Sequence, residues 1–239
     1  MSDFVRYSKL DSDRFGKRIY RADISDVAQI AHLDEFAKGE GAEMIVVRCP
    51  TRELRTTHRL EESGYLLMDT LVFYGGQTRA FEHATWTHAI RRASADDRES
   101  LHAIASDAFA EYDGHYHSDP KLDRRQATLG YVEWCLSCLN AENHSMWVAT
   151  DHGALMGFIA VHHDSNAAEI RLNGVASEFQ RQGVYDSLLK ASGQALFHQG
   201  ASRLSVSTHI NNLGPQKVWT RNGMSLQSAV YTFHKWYDP

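Results

Sequence analysis

Apolar positions along the chain follow two rhythms. Where they alternate or run together between turn formers they predict strands, and where they return every three or four residues they predict helices. Residues 18–22 read as a short strand and 24–38 as a helix. Met44-Ile45-Val46-Val47-Arg48 is a compact apolar strand ended by Cys49-Pro50. Residues 52–63 predict a helix closed by Gly64 at its C-terminal cap, and 66–74 a strand rich in β-formers. Gly75-Gly76-Gln77 ends that strand and marks the first domain boundary.

A longer series follows. Residues 88–92 read as a strand, and Ser94-Ala95-Asp96-Asp97 as an N-cap before the apolar face Leu101, Ile104, Ala105 and Phe109. Residues 111–122 are polar and aromatic and contain Pro120, so they predict a loop, and 126–140 predict a helix. Strands at 146–150, 155–163 and 169–176, separated by short turns, predict an antiparallel meander. A helix with the face Val184, Leu188, Leu189, Ala195 and Leu196 stops at Gly200. A strand at 203–208, a helix at 215–221 and a strand at 229–236 complete the series. The class is α+β, with helices packed on a mixed sheet. Leu60-Glu61-Glu62-Ser63-Gly64-Tyr65 and Trp219-Thr220-Arg221-Asn222-Gly223-Met224 form a faint internal echo.

Composition narrows the function classes. The 239 residues are 43% hydrophobic and 23% charged, as in globular proteins generally. At roughly 150 residues per domain this is about one and a half domains. A net charge of −5 is a poor match to general nucleic-acid binding. No apolar run approaches the ~20 residues of a membrane span, and the first residues lack the apolar core of a signal peptide. Cys49, Cys135 and Cys138 are few and odd in number, as expected in a reducing cytoplasm. The 14 histidines prompt a search for metal ligands. His115-Tyr116-His117 and His162-His163-Asp164 lack a partner cluster, and Cys135 and Cys138 fall on a helical apolar face, so no metal site is expected.

Chemistry concentrates where a strand ends in Asn173-Gly174-Val175 and a helix starts after Gln180-Arg181-Gln182-Gly183. The first N–H groups of a helix have no partners within it and converge on one spot, which with the helix dipole favours an anion such as pyrophosphate. Gly183 allows close approach, and Arg181 adds a cation. A plain strand–turn–helix with a solvated arginine would have the same local pattern.

Gln180-Arg181-x-Gly183-x-Tyr185 resembles the Q/R-x-x-G-x-G/A signature of the GNAT superfamily of N-acetyltransferases, and Asn212-x-x-Pro215-x-x-x-Trp219-x-x-x-Gly223-Met224 is similar to its N-x-x-A-x-x-x-Y-x-x-x-G-F. The element order agrees over residues 85–239. His117-Ser118-Asp119-Pro120 ahead of Tyr131-Val132-Glu133-Trp134, and the closing Phe233-His234-Lys235-Trp236, look like the dTDP-fucosamine N-acetyltransferase branch. The resemblance implies a GNAT-like, mostly antiparallel mixed sheet flanked by helices. It further implies a partial, non-catalytic GNAT-like half at residues 1–80 and a complete acetyltransferase domain at 81–239.

Acetyl transfer from acetyl-CoA to a small-molecule primary amine is the implied reaction, with no metal, nucleic acid or membrane; a homodimer is one assembly left open. The implied coenzyme contacts are Val175, Gln180, Arg181, Gln182, Gly183, Val184, Tyr185, Asn212 and Trp219, with a backbone N–H near Val175 as oxyanion donor. Trp219 stands where the family usually has the tyrosine that protonates the leaving thiolate, and an indole is no practical acid. Tyr185, His209 and Tyr231 are the other candidates for that proton. Asp119 would orient an ammonium or sugar hydroxyl, and His117 would relay the amine proton. Each of these residues also has an ordinary packing or turn role open to it. A degenerate acyl-CoA-binding module without turnover is the competing reading.

Overall fold

The computed structural model describes residues 4–237. The chain begins with β1 (Val5–Tyr7), α1 (Lys9–Phe15), β2 (Ile19–Asp23), α2 (Ala28–Glu40), β3 (Met44–Pro50), α3 (Leu54–Glu62) and β4 (Leu66–Gln77). A single turn at Thr78–Phe81 leads to β5 (Ala89–Arg92), α4 (Arg98–Ala108), α5 (Arg124–Cys138), β6 (His144–Asp151), β7 (Ala154–Asp164) and β8 (Ala167–Val175). Last come α6 (Val184–His198), β9 (Arg203–His209), α7 (Leu213–Arg221) and β10 (Ser225–Trp236). Mixed sheet flanked by helices is what the periodicities predict. The short β1 and α1 are the elements they miss.

Two compact units are present. One holds the described residues up to Val72, Asp113–Ala127 and those from Ser228 onward; the other holds Phe73–Tyr112 and Thr128–Gln227. The border expected near residue 80 is therefore not where the chain divides. Long-range strand pairing is the reason. In the first unit β1 pairs with β2, β2 runs parallel to β3, and β3 pairs antiparallel with the chain's last strand, from Met44↔Trp236 to Pro50↔Val230. In the second, β5 to β8 form the antiparallel meander and β8 runs parallel to β9.

The echo heard in the sequence is structural. β2-α2-β3-α3-β4 and β8-α6-β9-α7-β10 share one order, and both have their first two strands parallel. Both second helices end alike. Tyr65 N–H donates to Leu60 O at 3.0 Å with Gly64 at φ 81°, and Met224 N–H donates to Trp219 O at 3.0 Å with Gly223 at φ 80°. This left-handed stop satisfies the last carbonyls while the flanking apolar residue turns inward. The final strands are exchanged: β10 lies beside β3 in the first unit, and β4 lies beside β9 in the second. Gly75 and Gly76 continue β4 instead of ending it. A side-chain carbon on Gly76 would stand 3.1 Å from Met224, so these glycines serve close packing within a strand.

Helix α2 starts at Ala28, later than the periodicity suggests. Gln29 Oε1 accepts the N–H groups of Ser25 and Asp26, both at 3.0 Å, and Asp26 Oδ1 accepts that of Ala28 at 2.8 Å, holding the chain in a turn.

Ahead of α4, where an N-cap is expected, Ser94 and Asp97 form a capping box. Asp97 also takes a two-pronged bond from Arg91, 2.7 Å on each oxygen. That bond, against burial and with help from Ser94, pulls the Asp97 carboxyl down to about 2. Asp97→Asn is expected to cost about 1–2 kcal/mol at neutral pH in urea unfolding, from the lost charge on the cap and pair. Because the folded-state value is the lower one, this contribution is complete above the unfolded carboxylate's ~4 and fades as pH falls through about 2.

Cys135 and Cys138 are buried, and burial and the neighbouring thiol push Cys135 up to about 12, so it packs as an unreactive apolar side chain. Among the described residues, no helix is long and apolar enough to cross a membrane and no group of three or more His, Cys, Asp or Glu is placed to hold a metal ion.

Candidate active site

Strand β8 pairs with β7 along its whole length but with β9 only from Ala167↔Arg203 to Ile170↔Val206. Both strands run on, to Val175 and His209. The parting coincides with a bulge: Ile170 faces Val161 and Leu172 faces Ala160, so Arg171 is the extra residue. A bulge bends its strand and strengthens its twist, which turns the end of β8 away from β9. Backbone N–H and C=O groups of residues 172–175 on the β9 side are thereby released from that ladder. An extended chain of amide groups laid in the gap would find them.

Directly after β8, Ser177–Phe179 makes one turn and the chain enters Gln180-Arg181-Gln182-Gly183. All four residues are exposed. Arg181 and Gly183 have φ of 62° and 83°. Left-handed residues alternating with ordinary ones turn successive N–H groups into one concavity, which suits an anion. No side chain caps the N-terminus of α6. Gln180 Nε2 donates back to Val175 O at 3.3 Å and Gln182 Nε2 to Glu178 O at 2.8 Å, so both glutamines brace the loop. His88 is the neighbour that sequence reasoning missed: its ring bonds Ser187 Oγ at 2.9 Å, and its Cε1 is 3.8 Å from where a side chain on Gly183 would begin. Its separation of almost a hundred positions from the loop left no local signal.

Val175, Gln180, Arg181, Gln182, Gly183 and Val184 are thus brought together at the end of β8 and the start of α6. Asn212 stands at the start of α7, with its amide donating to Thr208 Oγ1 at 2.9 Å. His209 ends β9, nearly buried, with its ring edge-on to Tyr112 at 4.9 Å. Tyr185 and Trp219 also meet, but inside the core of the second unit. Trp219 is 0% exposed, and its Nε1–H donates to Tyr185 Oη at 2.7 Å. Burial raises the Tyr185 phenol far above its usual range, against the bond from Trp219. Their side chains thus join α6 and α7 within the core of the second unit.

The remaining candidates lie in the first unit. Tyr231 packs beside Phe233 on the face of β10 that meets the apolar cluster of Leu33 and Leu60. His117 is half-buried, and its Nδ1 accepts the Gly114 N–H at 3.3 Å; burial and Arg124 lower its pKa. Asp119 is 2% exposed. Its Oδ2 accepts from His234 Nδ1 at 2.7 Å and from Trp236 Nε1 at 2.9 Å, and its Oδ1 from the Lys121 N–H at 2.9 Å. Burial works to raise this carboxyl, and the three bonds outweigh it, so the pKa is lowered. Its oxygens are engaged within the protein, which corrects the expectation that Asp119 meets an ammonium directly.

His115 is a partner the sequence did not reveal. Its Nδ1 lies 2.9 Å from His234 Nε2. Burial lowers the pKa of both rings, for His234 against the raising pull of Asp119, which favours the neutral form of each. A carboxylate only accepts, so His234 Nδ1 donates to it and His234 Nε2 must accept from His115 Nδ1. The lone pair at the end of this Asp119–His234–His115 chain is then on His115 Nε2.

The family model described as Acetyltransferase (GNAT) family matches residues 98–224. The chain belongs to this family. Among curated proteins it is 22% identical over 202 residues to the spore coat polysaccharide biosynthesis protein SpsD of Bacillus subtilis, covering 81% of this chain and 67% of the relative. Among solved structures, a functionally unknown conserved protein of Staphylococcus epidermidis is similar with TM-score 0.71 and 14% identity, over 100% of this chain and 93% of that one. A GCN5-related N-acetyltransferase of Sphaerobacter thermophilus is similar with TM-score 0.66 and 12% identity, over 98% and 76%.

Proposed function

We propose that this GNAT protein is an N-acetyltransferase that moves the acetyl group of acetyl-CoA to a primary amine by direct attack, on an amino-sugar nucleotide or a related amino sugar. The observation that carries the reading is the parting of β8 from β9 beside an uncapped, exposed helix start. Gln180 to Val184 would hold the pyrophosphate, with Arg181 as its cation, and the freed edge of β8 would pair with the amides of the pantetheine arm. The equivalent turn of the first repeat supports confining the coenzyme to the second. There Gln29 and Asp26 already occupy the backbone N–H groups, and Asp23 and Asp26 would repel a phosphate.

In the reaction the amine lone pair attacks the acetyl carbon, and the carbonyl oxygen becomes an oxyanion beside the Val175 N–H. The C–S bond then breaks, the amide forms with loss of a proton, and the thiolate takes one up. Holding both substrates in line removes much of the entropic barrier. The similarity to a polysaccharide biosynthesis protein supports an amino-sugar acceptor.

A binding module without turnover is the second reading, favoured by the burial of Trp219 at the usual tyrosine position. The experiment is thiol release from acetyl-CoA with a panel of amines that includes amino-sugar nucleotides, alongside thermal shift with coenzyme A. Amine-dependent release is the expected result. Stabilisation by coenzyme A with no release from any amine would favour the binding module, and no stabilisation would overturn both.

A further inference from the structure

The first unit has a polar face that the coenzyme reading leaves unused. Side chains of β3 alternate: Ile45, Val47 and Cys49 enter the cluster of Leu33, Leu60 and Phe233, while Met44 and Val46 turn the other way, toward Tyr116 and Trp236. By the same alternation Arg48 is on this second face. Its register partners are Thr232 on β10 and Asp23 on β2, and His234 lies two residues beyond Thr232 on the same face.

Polar groups on this face are normally expected to be paired, and most are. Arg21 bonds Asp11 and Tyr116, and Arg6 bonds Asp23. Two are exceptions. Thr232 is 1% exposed, and its Oγ1 has no hydrogen-bond partner. Arg48 is half-buried, and among the described residues its side chain makes no hydrogen bond or ion pair, although burial and Arg21 press its pKa down. Asp69 feels its charge from a distance, and burial still pushes that carboxyl up to about 6. A guanidinium fork with five donors beside an unsatisfied buried hydroxyl is a poor structural arrangement and a good one for a ligand that supplies acceptors.

We propose that this face binds a ligand that carries a phosphate or carboxylate, its oxyanion held by the Arg48 fork and the Thr232 hydroxyl, with His115 Nε2 accepting a hydrogen from a neighbouring hydroxyl or ammonium of the ligand. This stands apart from the acetyl-transfer reading, and its test does not need turnover.

The full-length protein is saturated with coenzyme A, so that the loop before α6 is filled, and titrated separately with inorganic phosphate and with acetate while its thermal stability is followed. Saturable stabilisation is expected, and the stronger anion tells phosphate from carboxylate. Arg48→Met is expected to weaken it at least about tenfold with coenzyme A affinity unchanged. Arg48→Lys, which keeps the charge without the fork, should be intermediate and serves if the Met variant does not fold. Thr232→Val removes the hydroxyl at equal volume, and anion affinity should fall while stability without anion is held or rises. Wild-type protein that neither anion stabilises, or Arg48 variants that bind as tightly as wild type, would overturn the proposal, whatever the outcome of the amine panel.

Discussion

Replacing Gly183 with tryptophan is expected to weaken coenzyme A binding by at least about a hundredfold, close to 3 kcal/mol of affinity. The loop between β8 and α6 offers backbone N–H groups at an uncapped helix end, and only an atom that comes close can use them. A large side chain at the residue immediately before Val184 would occupy that space. Two effects must be separated, because Gly183 is also left-handed, with φ 83°. Any other residue there carries roughly 1 kcal/mol of backbone strain. Gly183→Ala has the same strain with little bulk, and its nearest neighbour, His88, is 3.8 Å away, so it fits. Calorimetric titration of both variants with coenzyme A is the measurement. A tryptophan variant that binds like wild type would place the phosphates elsewhere. An alanine variant as weak as the tryptophan one would show that loop conformation, and not close approach, governs affinity.

This loop was readable in the sequence because its chemistry is local. Strand end, glycine, arginine and helix start follow each other within a few residues, and the structure keeps that order, with Val175 ending β8 and Val184 opening α6. The turn before α2 was misread for the complementary reason. Its apolar spacing suits a helix from residue 24, but Gln29 and Asp26 bond the backbone ahead of Ala28 and delay the start. Side-chain bonding to the chain's own backbone overrides periodicity where short polar residues cluster.

Pairings between distant segments were not readable at all. Nothing in residues 228–236 announces that they lie against Met44–Pro50, because alternation sets which face of a strand is buried and leaves its neighbour open. Once β10 joins the first unit, His234 and Trp236 come within reach of Asp119, and the loop residue singled out for an exposed ammonium becomes a buried anchor. The parting of β8 and β9 was hidden likewise, since the bulge at Arg171 is defined by the register with β7 and not by any residue type. The repeat was half-visible. Its helix stops have a sequence signature, and its exchanged strands have none.

Trp219→Ala is expected to destabilise the protein by about 4 kcal/mol or more. The indole is 0% exposed, tilted at 53° to the Tyr74 ring with centroids 5.2 Å apart, and bonded to Tyr185. Removing it leaves a cavity and strands a buried phenol, and each change has a cost. Smaller substitutions apportion that cost. Trp219→Phe keeps an aromatic ring and loses the donor, so it should cost about 2–3 kcal/mol; Tyr185→Phe removes the acceptor and should cost about 1–2 kcal/mol. In the double variant neither polar atom is left waiting for the other, so the combined loss should be smaller than the sum. The same variants decide what Trp219 does for function. A side chain that guides the departing thiolate would change turnover per folded molecule, and Trp219→Tyr, which restores the family's usual residue, would then accelerate it. A core side chain predicts the reverse pattern: unfolding midpoints fall in all the variants, while coenzyme A affinity and turnover per folded molecule stay within about twofold. The bond of 2.7 Å between two groups turned away from solvent favours the second pattern. The proton for the leaving thiolate must then come from a group on the open side of β8, or from water.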